Sequence, residues 1–258
     1  MKFKAISRRK FIGTLLLATP LVVVGDSALV EPTWLKVTHL KLNDAPTHRF
    51  VHFTDLHHKG NRKYTQEVVD RINALSPDFV CFTGDIIEEQ KYLAEALEIL
   101  SGIKFPMYGV PGNHDYWSHV PFGDIERCFA KTGGAWLMDD CRMAGNGQIN
   151  LIGASCRNVA RMPKLTKPDV KNILMLHYPA WAKVLGEQKF DLMLAGHSHG
   201  GQVRIPFIGP IIVPFAVDEY SLGLYQTKAG PLYVGSGIGW YPMPVRFNCR
   251  PEITVVEI

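Results

Sequence analysis

Short apolar runs alternate with helically spaced apolar residues along the middle of this chain. The apolar runs predict strands over residues 49–54, 78–83, 105–110, 149–152, 172–176 and 191–195. Apolar side chains that recur every three to four residues predict helices over residues 64–75, 90–100, 122–131 and 181–185. After residue 200 the pattern changes to β-like runs between glycines and prolines, at 220–227, 231–234 and 252–258. This order is typical of an α/β domain with a strand-rich second half.

Polar clusters stand directly after five of the predicted strands. They are Asp55-Leu56-His57, Gly84-Asp85, Gly112-Asn113-His114-Asp115, His177 and Gly196-His197-Ser198-His199. In open α/β sheets, ligand sites form at the carboxyl ends of the strands. Asp, His and Asn are hard or borderline ligands that suit Mn²⁺, Fe, Zn²⁺ or Mg²⁺, and the set contains no thiolate. It is large enough for two ions that share one carboxylate.

Each cluster taken alone has an ordinary structural explanation. A His-x-His pair is usually a surface feature, and an aspartate after a strand often caps the next helix. Five such clusters at successive strand ends are poorly explained one at a time. We therefore interpret them as a single metal site.

The positive charge of the chain is concentrated at its N-terminus. The formal net charge is +4, from 28 Lys and Arg against 24 Asp and Glu. Five of the basic residues precede the first acidic residue, namely Lys2, Lys4, Arg8, Arg9 and Lys10. Without residues 1–25, 23 basic side chains face 24 acidic ones, a net charge of −1. The sequence therefore gives no electrostatic indication of a nucleic-acid partner.

The N-terminal residues have the pattern of an export signal. A basic segment, residues 1–10, precedes an apolar run over residues 11–25 that is short for a bilayer span of about 20 residues. The motif Ser7-Arg8-Arg9-Lys10-Phe11-Ile12 resembles the twin-arginine export signal. We expect residues 1–30 to engage the twin-arginine export machinery and to place the protein in the periplasm or cell envelope. No clean cleavage site follows, so the segment could also persist as a membrane anchor.

The chain contains five cysteines, at positions 81, 128, 141, 156 and 249. An odd count without a C-x-x-C pair indicates neither a zinc ribbon nor a disulfide framework. A single bridge between Cys128 and Cys141 is the one pairing left open.

The five polar clusters occur in the order seen in calcineurin-like metallophosphoesterases, which the chain resembles over about residues 50–200. The later motifs at 196–202, 206–210 and 244–248 resemble the twin-arginine-exported branch, which is related to hydrolases of UDP-2,3-diacylglucosamine. The resemblance implies a four-layer α/β/β/α sandwich with mixed sheets. We expect this phosphoesterase domain to span residues 45–258.

The resemblance also implies a role for each cluster residue. One metal ion is expected to be held by Asp55, His57 and His199, and the other by Asn113, His177 and His197, with Asp85 between them. His114 is expected to act on the substrate, and Asp115 to orient its ring. Three further residues are weaker candidates for binding substrate, namely His58, His119 and Arg157.

Together these observations predict a phosphoesterase that depends on two divalent ions, with Mn²⁺ favoured. A metal-bound hydroxide would attack a phosphodiester, pyrophosphate or phosphomonoester in a small-molecule or phospholipid-like substrate, while His114 stabilises charge or protonates the leaving oxygen. One alternative is a pyrophosphatase that acts on UDP-2,3-diacylglucosamine at the membrane. Another, from a different class, is a non-catalytic metal-binding protein of the envelope.

Overall fold

The computed structural model of the protein describes Arg8, Pro20 and residues 22–258. Arg9 and most of the expected export segment lie outside the described residues. In the part that is described, no helix is long and apolar enough to cross a membrane. The five cysteines are all free.

The described strands, in chain order, are β1 (Lys36–Lys41), β2 (Arg49–Phe53), β3 (Val80–Phe82), β4 (Met107–Gly109), β5 (Ala135–Trp136), β6 (Asp140–Ala144), β7 (Ile149–Gly153), β8 (Lys171–Met175), β9 (Leu192–Ala195), β10 (Arg204–Ile205), β11 (Gly209–Pro210), β12 (Gly223–Thr227), β13 (Gly230–Val234) and β14 (Glu252–Glu257). The α-helices are α1 (Arg62–Leu75), α2 (Leu93–Leu100), α3 (Asn113–Trp117) and α4 (Phe122–Lys131). A π-helical segment, Asp26–Val30, is followed by a 3₁₀ turn at Glu31–Thr33. The remaining 3₁₀ turns are Gln90–Tyr92, Gly145–Gly147, Met162–Leu165, Pro179–Lys183 and His199–Gly201.

Two six-stranded sheets form the body of the protein. The first has the order β1-β14-β2-β3-β4-β5, and the second has the order β12-β13-β9-β8-β7-β6. Both are mixed, because β14 runs antiparallel to β2 in the first, and β12–β13 and β6–β7 are antiparallel pairs in the second. The strands that precede the polar clusters are parallel neighbours, β2-β3-β4 in one sheet and β8-β9 in the other. Their carboxyl ends therefore come together at one edge.

Three apolar layers hold the sheets in place. Side chains from both sheets, such as Phe79 and Leu194, fill the space between them. The opposite face of the first sheet packs against α1, α2 and α4. Helix α1 shows the local cause, because Asn61 accepts the Tyr64 backbone N–H at its start and Val68 and Ile72 face the sheet. The outer face of the second sheet is covered mainly by the 3₁₀ turns at 162–165 and 179–183.

The layered α/β fold with two mixed sheets confirms the fold class predicted from sequence. Two details differ. The helix expected over 181–185 is a 3₁₀ turn, Pro179–Lys183, with proline at its start. Residues 36–41, which the apolar pattern passed over as a connector, form the edge strand β1 parallel to β14. Its polar-rich composition is typical of an edge strand, which has only one neighbour.

Candidate metal centre

The polar clusters meet where the carboxyl ends of the two sheets converge. The loops after β2, β3 and β4 supply Asp55, His57, Asp85, Asn113 and His114 from the first sheet, and those after β8 and β9 supply His177, His197 and His199 from the second. All eight side chains are buried. The structure therefore brings together every residue that the sequence assigned to the metal site.

Five of these residues have a left-handed backbone that side chains other than glycine rarely adopt. Asp55, His57, Asp85, His197 and His199 have φ between 41° and 67°. Such conformations are strained, and they persist at functional sites because the surrounding structure holds them. Here the tight turns direct Asp55 and His57 into one ligand group, and direct His197 and His199 of a single loop into two adjacent groups.

Two glycines of the motifs are required by close approach. A Cβ at Gly112 would lie 2.1 Å from Asp85 Oδ1, and one at Gly196 would lie 2.0 Å from Thr54 Oγ1. Any side chain at these positions would collide with the loops that carry Asp85 and Asp55. The glycines thus allow neighbouring ligand loops to pack directly against each other.

The first group of ligand atoms consists of Asp55, His57 and His199. The two imidazole Nε2 atoms are 3.0 Å apart, and Asp55 Oδ1 lies 3.6 Å from His199 Nε2 and 3.9 Å from His57 Nε2. The backbone N–H of His197 donates to both oxygens of Asp55, at 3.1 and 3.0 Å, and so fixes the carboxylate. Three buried ligand atoms from two sheets therefore face one point.

The second group consists of Asn113, His177 and His197. His177 donates from Nδ1 to the Thr83 carbonyl at 2.7 Å, which directs its Nε2 to within 3.0 Å of Asn113 Oδ1. His197 donates from Nε2 to the Phe215 carbonyl at 2.9 Å, which leaves Nδ1 as its ligand atom. A backbone acceptor on the opposite ring nitrogen is the usual way to fix the tautomer of a metal-binding histidine.

Asp85 stands between the two groups. Its Oδ2 is 3.6 Å from His57 Nε2 in the first and 3.3 Å from His177 Nε2 in the second. Its Oδ1 accepts the backbone N–H of His114 at 2.8 Å. Burial opposes the charge on Asp85, but the neighbouring imidazoles outweigh burial and hold the pKa of this carboxyl below its usual range. It is therefore ionised and placed to contact ions in both groups.

The donor set fits divalent metal ions. It offers imidazole nitrogens, carboxylate oxygens and one amide oxygen, which suit Mn²⁺, Fe, Zn²⁺ or Mg²⁺. Burial lowers the pKa of His197 to about 3 and that of His199 well below its usual value, so both rings are neutral at pH 7, the form that binds a metal. His199 Nδ1 and Asn113 Nδ2 are buried without a hydrogen-bond partner in the described structure.

Asp115 does not orient the His114 ring, contrary to the expectation from sequence. One of its oxygens accepts the backbone N–H groups of Asp85 and Gly112 at 2.9 and 2.8 Å, and the other accepts that of Ile86 at 2.9 Å. Its side chain is fully buried. Asp115 therefore ties the loop that carries Asp85 to the loop that carries His114.

Glu88, and not Asp115, contacts the His114 ring. The sequence did not indicate this residue. Glu88 Oε2 is 3.0 Å from His114 Nδ1, and its other oxygen contacts His57 Nδ1. Burial disfavours the imidazolium of His114, but the hydrogen bond to Glu88 and the charge of Asp85 outweigh burial and raise the pKa of His114. The only sequence signal is a carboxylate three residues after Asp85. Such spacing on a loop is uninformative without the turn geometry.

Aromatic rings border the site on its open side. The His114 ring lies 4.5 Å from the Tyr241 ring and 4.8 Å from the Trp117 ring, both of which are exposed. Phe215, also exposed, has its ring 5.1 Å from that of His197. The approach to both ligand groups is therefore lined by apolar surface.

Arg246, which lies in the motif at 244–248, supports the site in a way that the sequence did not indicate. Its guanidinium is fully buried and donates to the carbonyls of Ser236, Gly237, Gly239 and Cys249. The loop that it holds donates in turn to the Asp55 carbonyl, from Ile238 N–H at 3.2 Å and Gly239 N–H at 2.7 Å. Arg246 thus supports the backbone of the first ligand group from behind.

The three weaker substrate-binding candidates lie elsewhere. His58 is buried away from the cleft, with Nδ1 2.8 Å from Thr65 Oγ1 and Nε2 2.7 Å from Glu95 Oε1, so it joins α1 to α2. His119 is exposed just beyond the end of α3. The exposed Arg157 stacks over the Tyr116 ring, 4.8 Å from its centroid. The structure gives none of these three residues a contact with the ligand groups.

Comparison with known proteins gives three findings. The family described as calcineurin-like phosphoesterase matches residues 48–201. The chain is 30% identical to the uncharacterized metallophosphoesterase YkuE of Bacillus subtilis, over 99% of this chain and 98% of that protein, and 26% identical to the phosphodiesterase YaeI of Escherichia coli, over 98% and 99%. A solved structure superposes with a TM-score of 0.52 over 75% of this chain and 91% of its own, at 11% identity, a likeness of fold alone.

Proposed function

This chain belongs to the calcineurin-like phosphoesterase family, and we propose that the bond it hydrolyses is a phosphodiester. The chain is a metal-dependent phosphoric ester hydrolase. The choice among diester, monoester and pyrophosphate is our inference.

The observation that carries the diester assignment is the aromatic border of the site. Trp117 and Tyr241 flank His114, and Phe215 flanks His197, so a second ester substituent would meet apolar surface beside the reacting phosphorus. A monoester dianion is better served by cationic side chains. Among the described residues, no Lys or Arg forms an ion pair with Asp55, Asp85 or Glu88. The similarity to a protein named as a phosphodiesterase supports the same choice.

Asp55, His57 and His199 would hold one divalent ion and Asn113, His177 and His197 the other, with Asp85 shared. When bound, such ions polarise phosphoryl oxygens and lower the pKa of bound water. Asn113 contributes a neutral ligand, which limits the negative charge at the site. Asp115 and Arg246 hold the ligand loops in register from outside.

His114 is placed to hold and move a proton. Its Nδ1 faces Glu88, so Nε2 is the nitrogen available to a substrate. The raised pKa favours the protonated ring near neutral pH. In that form Nε2–H can donate to a phosphoryl oxygen and protonate the departing alkoxide, a role that contributes typically 10²–10⁴-fold in rate.

Hydrolysis of bis(p-nitrophenyl) phosphate and of p-nitrophenyl phosphate, each with added Mn²⁺, tests the proposal. We expect the diester to have the higher kcat/KM, and Asp85→Asn and His114→Asn to lose most of this activity. Faster hydrolysis of the monoester would overturn the diester assignment. A parallel assay should measure hydrolysis of UDP-2,3-diacylglucosamine. Activity there would reveal a pyrophosphatase, the alternative that the later sequence motifs suggested.

We further propose that the native metal is Mn²⁺ and that the twin-arginine machinery exports the protein. The donor set supports Mn²⁺, and the arginine pair with the apolar run over 11–25 supports export to the periplasm or an anchored position at the membrane. Metal analysis of protein purified without chelators tests the first part. Replacing Arg8 and Arg9 by lysine tests the second, since unchanged fractionation would refute it.

A further inference from the structure

The segment over residues 205–217, here called the apolar loop, is unusual for a protein surface. It contains no charged or hydrogen-bonding side chain. Its largest side chains nevertheless face solvent, with Phe207 fully exposed, Ile208 77% exposed and Ile212 76% exposed. Contiguous exposed apolar surface generally marks a binding interface.

The tip of the apolar loop holds an aromatic residue where the fold would favour glycine. The N–H of Ile208 donates to the Ile205 carbonyl at 3.1 Å, so Pro206 and Phe207 are the central residues of a turn. Phe207 has φ +67°, the sign that a type II turn requires at this position and that glycine normally supplies. The folded state does not need a strained phenylalanine here, which indicates that its exposed ring serves another purpose.

The apolar loop is joined to the N-terminal segment through one stretch of backbone. The Phe247 carbonyl accepts the Arg204 N–H at 2.9 Å at the base of the loop. The neighbouring Arg246 N–H donates to the Ser27 carbonyl at 2.9 Å, and the Glu31 carboxylate accepts two adjacent backbone N–H groups. Residues 22–25, the described end of the apolar run over 11–25, therefore lead into a segment that bonds to the same stretch of backbone as the base of the loop. Val24, near the end of that run, is also exposed.

The same surface leads to the metal centre. Phe215 belongs to the apolar loop, and its carbonyl accepts the His197 Nε2–H. Gln202, just before the loop, accepts the Tyr241 N–H at 2.7 Å and donates to the Met243 carbonyl at 3.3 Å. Tyr241 borders His114, and Met243 is exposed. Exposed apolar side chains thus occur at the tip of the loop, at Phe215 beside His197 and at Tyr241 beside His114.

We propose that the apolar loop inserts into the interfacial layer of a lipid bilayer and holds the cleft against it, so that the enzyme takes phosphodiesters carried on lipids. The occupant is a bilayer because the N-terminal run, whose apolar sequence is compatible with a membrane, leads through residues 22–25 into the segment that bonds to the same backbone as the base of the loop. Segments with exposed large apolar side chains bind bilayers in proportion to the apolar area they bury. The loop lacks cations, so docking should not require anionic lipid. The lipid-borne substrate rests on the proposed function, whereas docking does not.

Tryptophan fluorescence in the full chain tests docking. Phe207→Trp is mixed with phosphatidylcholine vesicles whose acyl chains are brominated, and Leu224→Trp, at an exposed position on β12, is the matched control. We expect quenching of the emission added at position 207 and none of that added at position 224. Because both variants keep the N-terminal segment, tethering by that segment cannot produce the difference. No quenching at position 207, or equal quenching at both positions, would overturn the proposal.

A second measurement compares hexadecyl p-nitrophenyl phosphate in phosphatidylcholine vesicles with the soluble ethyl p-nitrophenyl phosphate. Phe207→Gly combined with Ile208→Ser should lower the vesicle rate about tenfold, because less apolar area is buried, and leave the soluble rate unchanged. Its thermal midpoint should not fall, since glycine relaxes the turn. Equal vesicle rates for this variant and wild type would refute lipid-borne turnover. If wild type cleaves neither ester while the Phe207→Trp variant is quenched by the vesicles, the proposed function fails and docking stands.

Discussion

Replacing Glu88 by glutamine should impair catalysis without destabilising the fold. The change removes the negative charge 3.0 Å from His114 Nδ1 and beside His57 Nδ1, but it keeps the size of the side chain. Carboxylates that orient metal-binding histidines contribute about 10–100-fold in metal affinity or activity. We therefore expect kcat on bis(p-nitrophenyl) phosphate at saturating Mn²⁺ to fall about 100-fold, equivalent to about 2.7 kcal/mol.

The pH profile provides the specific signature of Glu88. Glu88 helps to raise the pKa of His114, so its neutralisation should lower that pKa. A general acid is active while protonated, and activity is lost as the pH rises through its pKa. The alkaline fall of kcat in Glu88→Gln should therefore move to lower pH than in wild type.

Asp115→Asn is the matched control for Glu88→Gln. We expect it to lower the stability of the fold and to leave the pH profile of kcat unchanged. Three buried N–H groups donate to the Asp115 carboxylate, and an amide has one oxygen to accept them. One amide oxygen can accept two of these groups and leaves the third unpaired, which costs about 1–3 kcal/mol. At about 2–4 °C per kcal/mol, the thermal midpoint should fall by roughly 2–12 °C. The opposite result would contradict our assignment of the two carboxylates. In that case Asp115→Asn would shift the pH profile and leave the thermal midpoint unchanged, and Glu88→Gln would leave the pH profile unchanged.

Three further predictions concern stability. Arg246→Lys should cost at least about 1–3 kcal/mol in urea unfolding, because an ammonium has three N–H donors and leaves at least one of the four carbonyls that the guanidinium serves without a partner; an unchanged midpoint would contradict this. Burial lowers the pKa of His52 to about 3, below its value of about 6.5 in an unfolded chain, so the protein should lose stability as the pH falls from about 6.5 to about 3. With metal removed by a chelator, the loss of unfolding free energy should approach 4–5 kcal/mol. His52→Gln has no titrating ring at this position, so its unfolding free energy should depend less on pH over the same range. Chelation should lower the thermal midpoint and Mn²⁺ at about 100 times its Kd should restore about 2.7 kcal/mol, with no recovery in Asp85→Asn.

The sequence was sufficient to predict the fold class and to select the side chains that the structure brings together as candidate metal ligands. Both depend on features that are local in the chain. The apolar runs predicted most of the strands, and a polar cluster directly after a buried parallel strand must emerge at the carboxyl edge of its sheet. That rule placed Asp55 and Asp85, which follow neighbouring strands, at one edge of a sheet, whereas His177 follows a strand of the second sheet and was joined to them by the family resemblance.

The partners of individual side chains could not be predicted in the same way. Asp115 was expected to orient His114 because the two residues are adjacent in the chain. In the structure its carboxylate instead points to the backbone of the Asp85 loop, 30 residues earlier. Glu88 takes the expected role because the left-handed turn at Asp85 returns the loop toward His114. Direction within a turn depends on φ and ψ, which neighbouring loops determine through close packing.

The sequence by itself thus determined which chemistry the protein carries, because residue type and strand-end position are properties of the chain. Only the tertiary structure decided which carboxylate serves which imidazole and where the apolar residues of 205–217 lie. The apolar composition of that segment would suit burial in a core, although its three prolines argue against a central strand. Its exposure follows from the packing of the second sheet, whose outer face is already covered by the 3₁₀ turns and leaves no interior position for it.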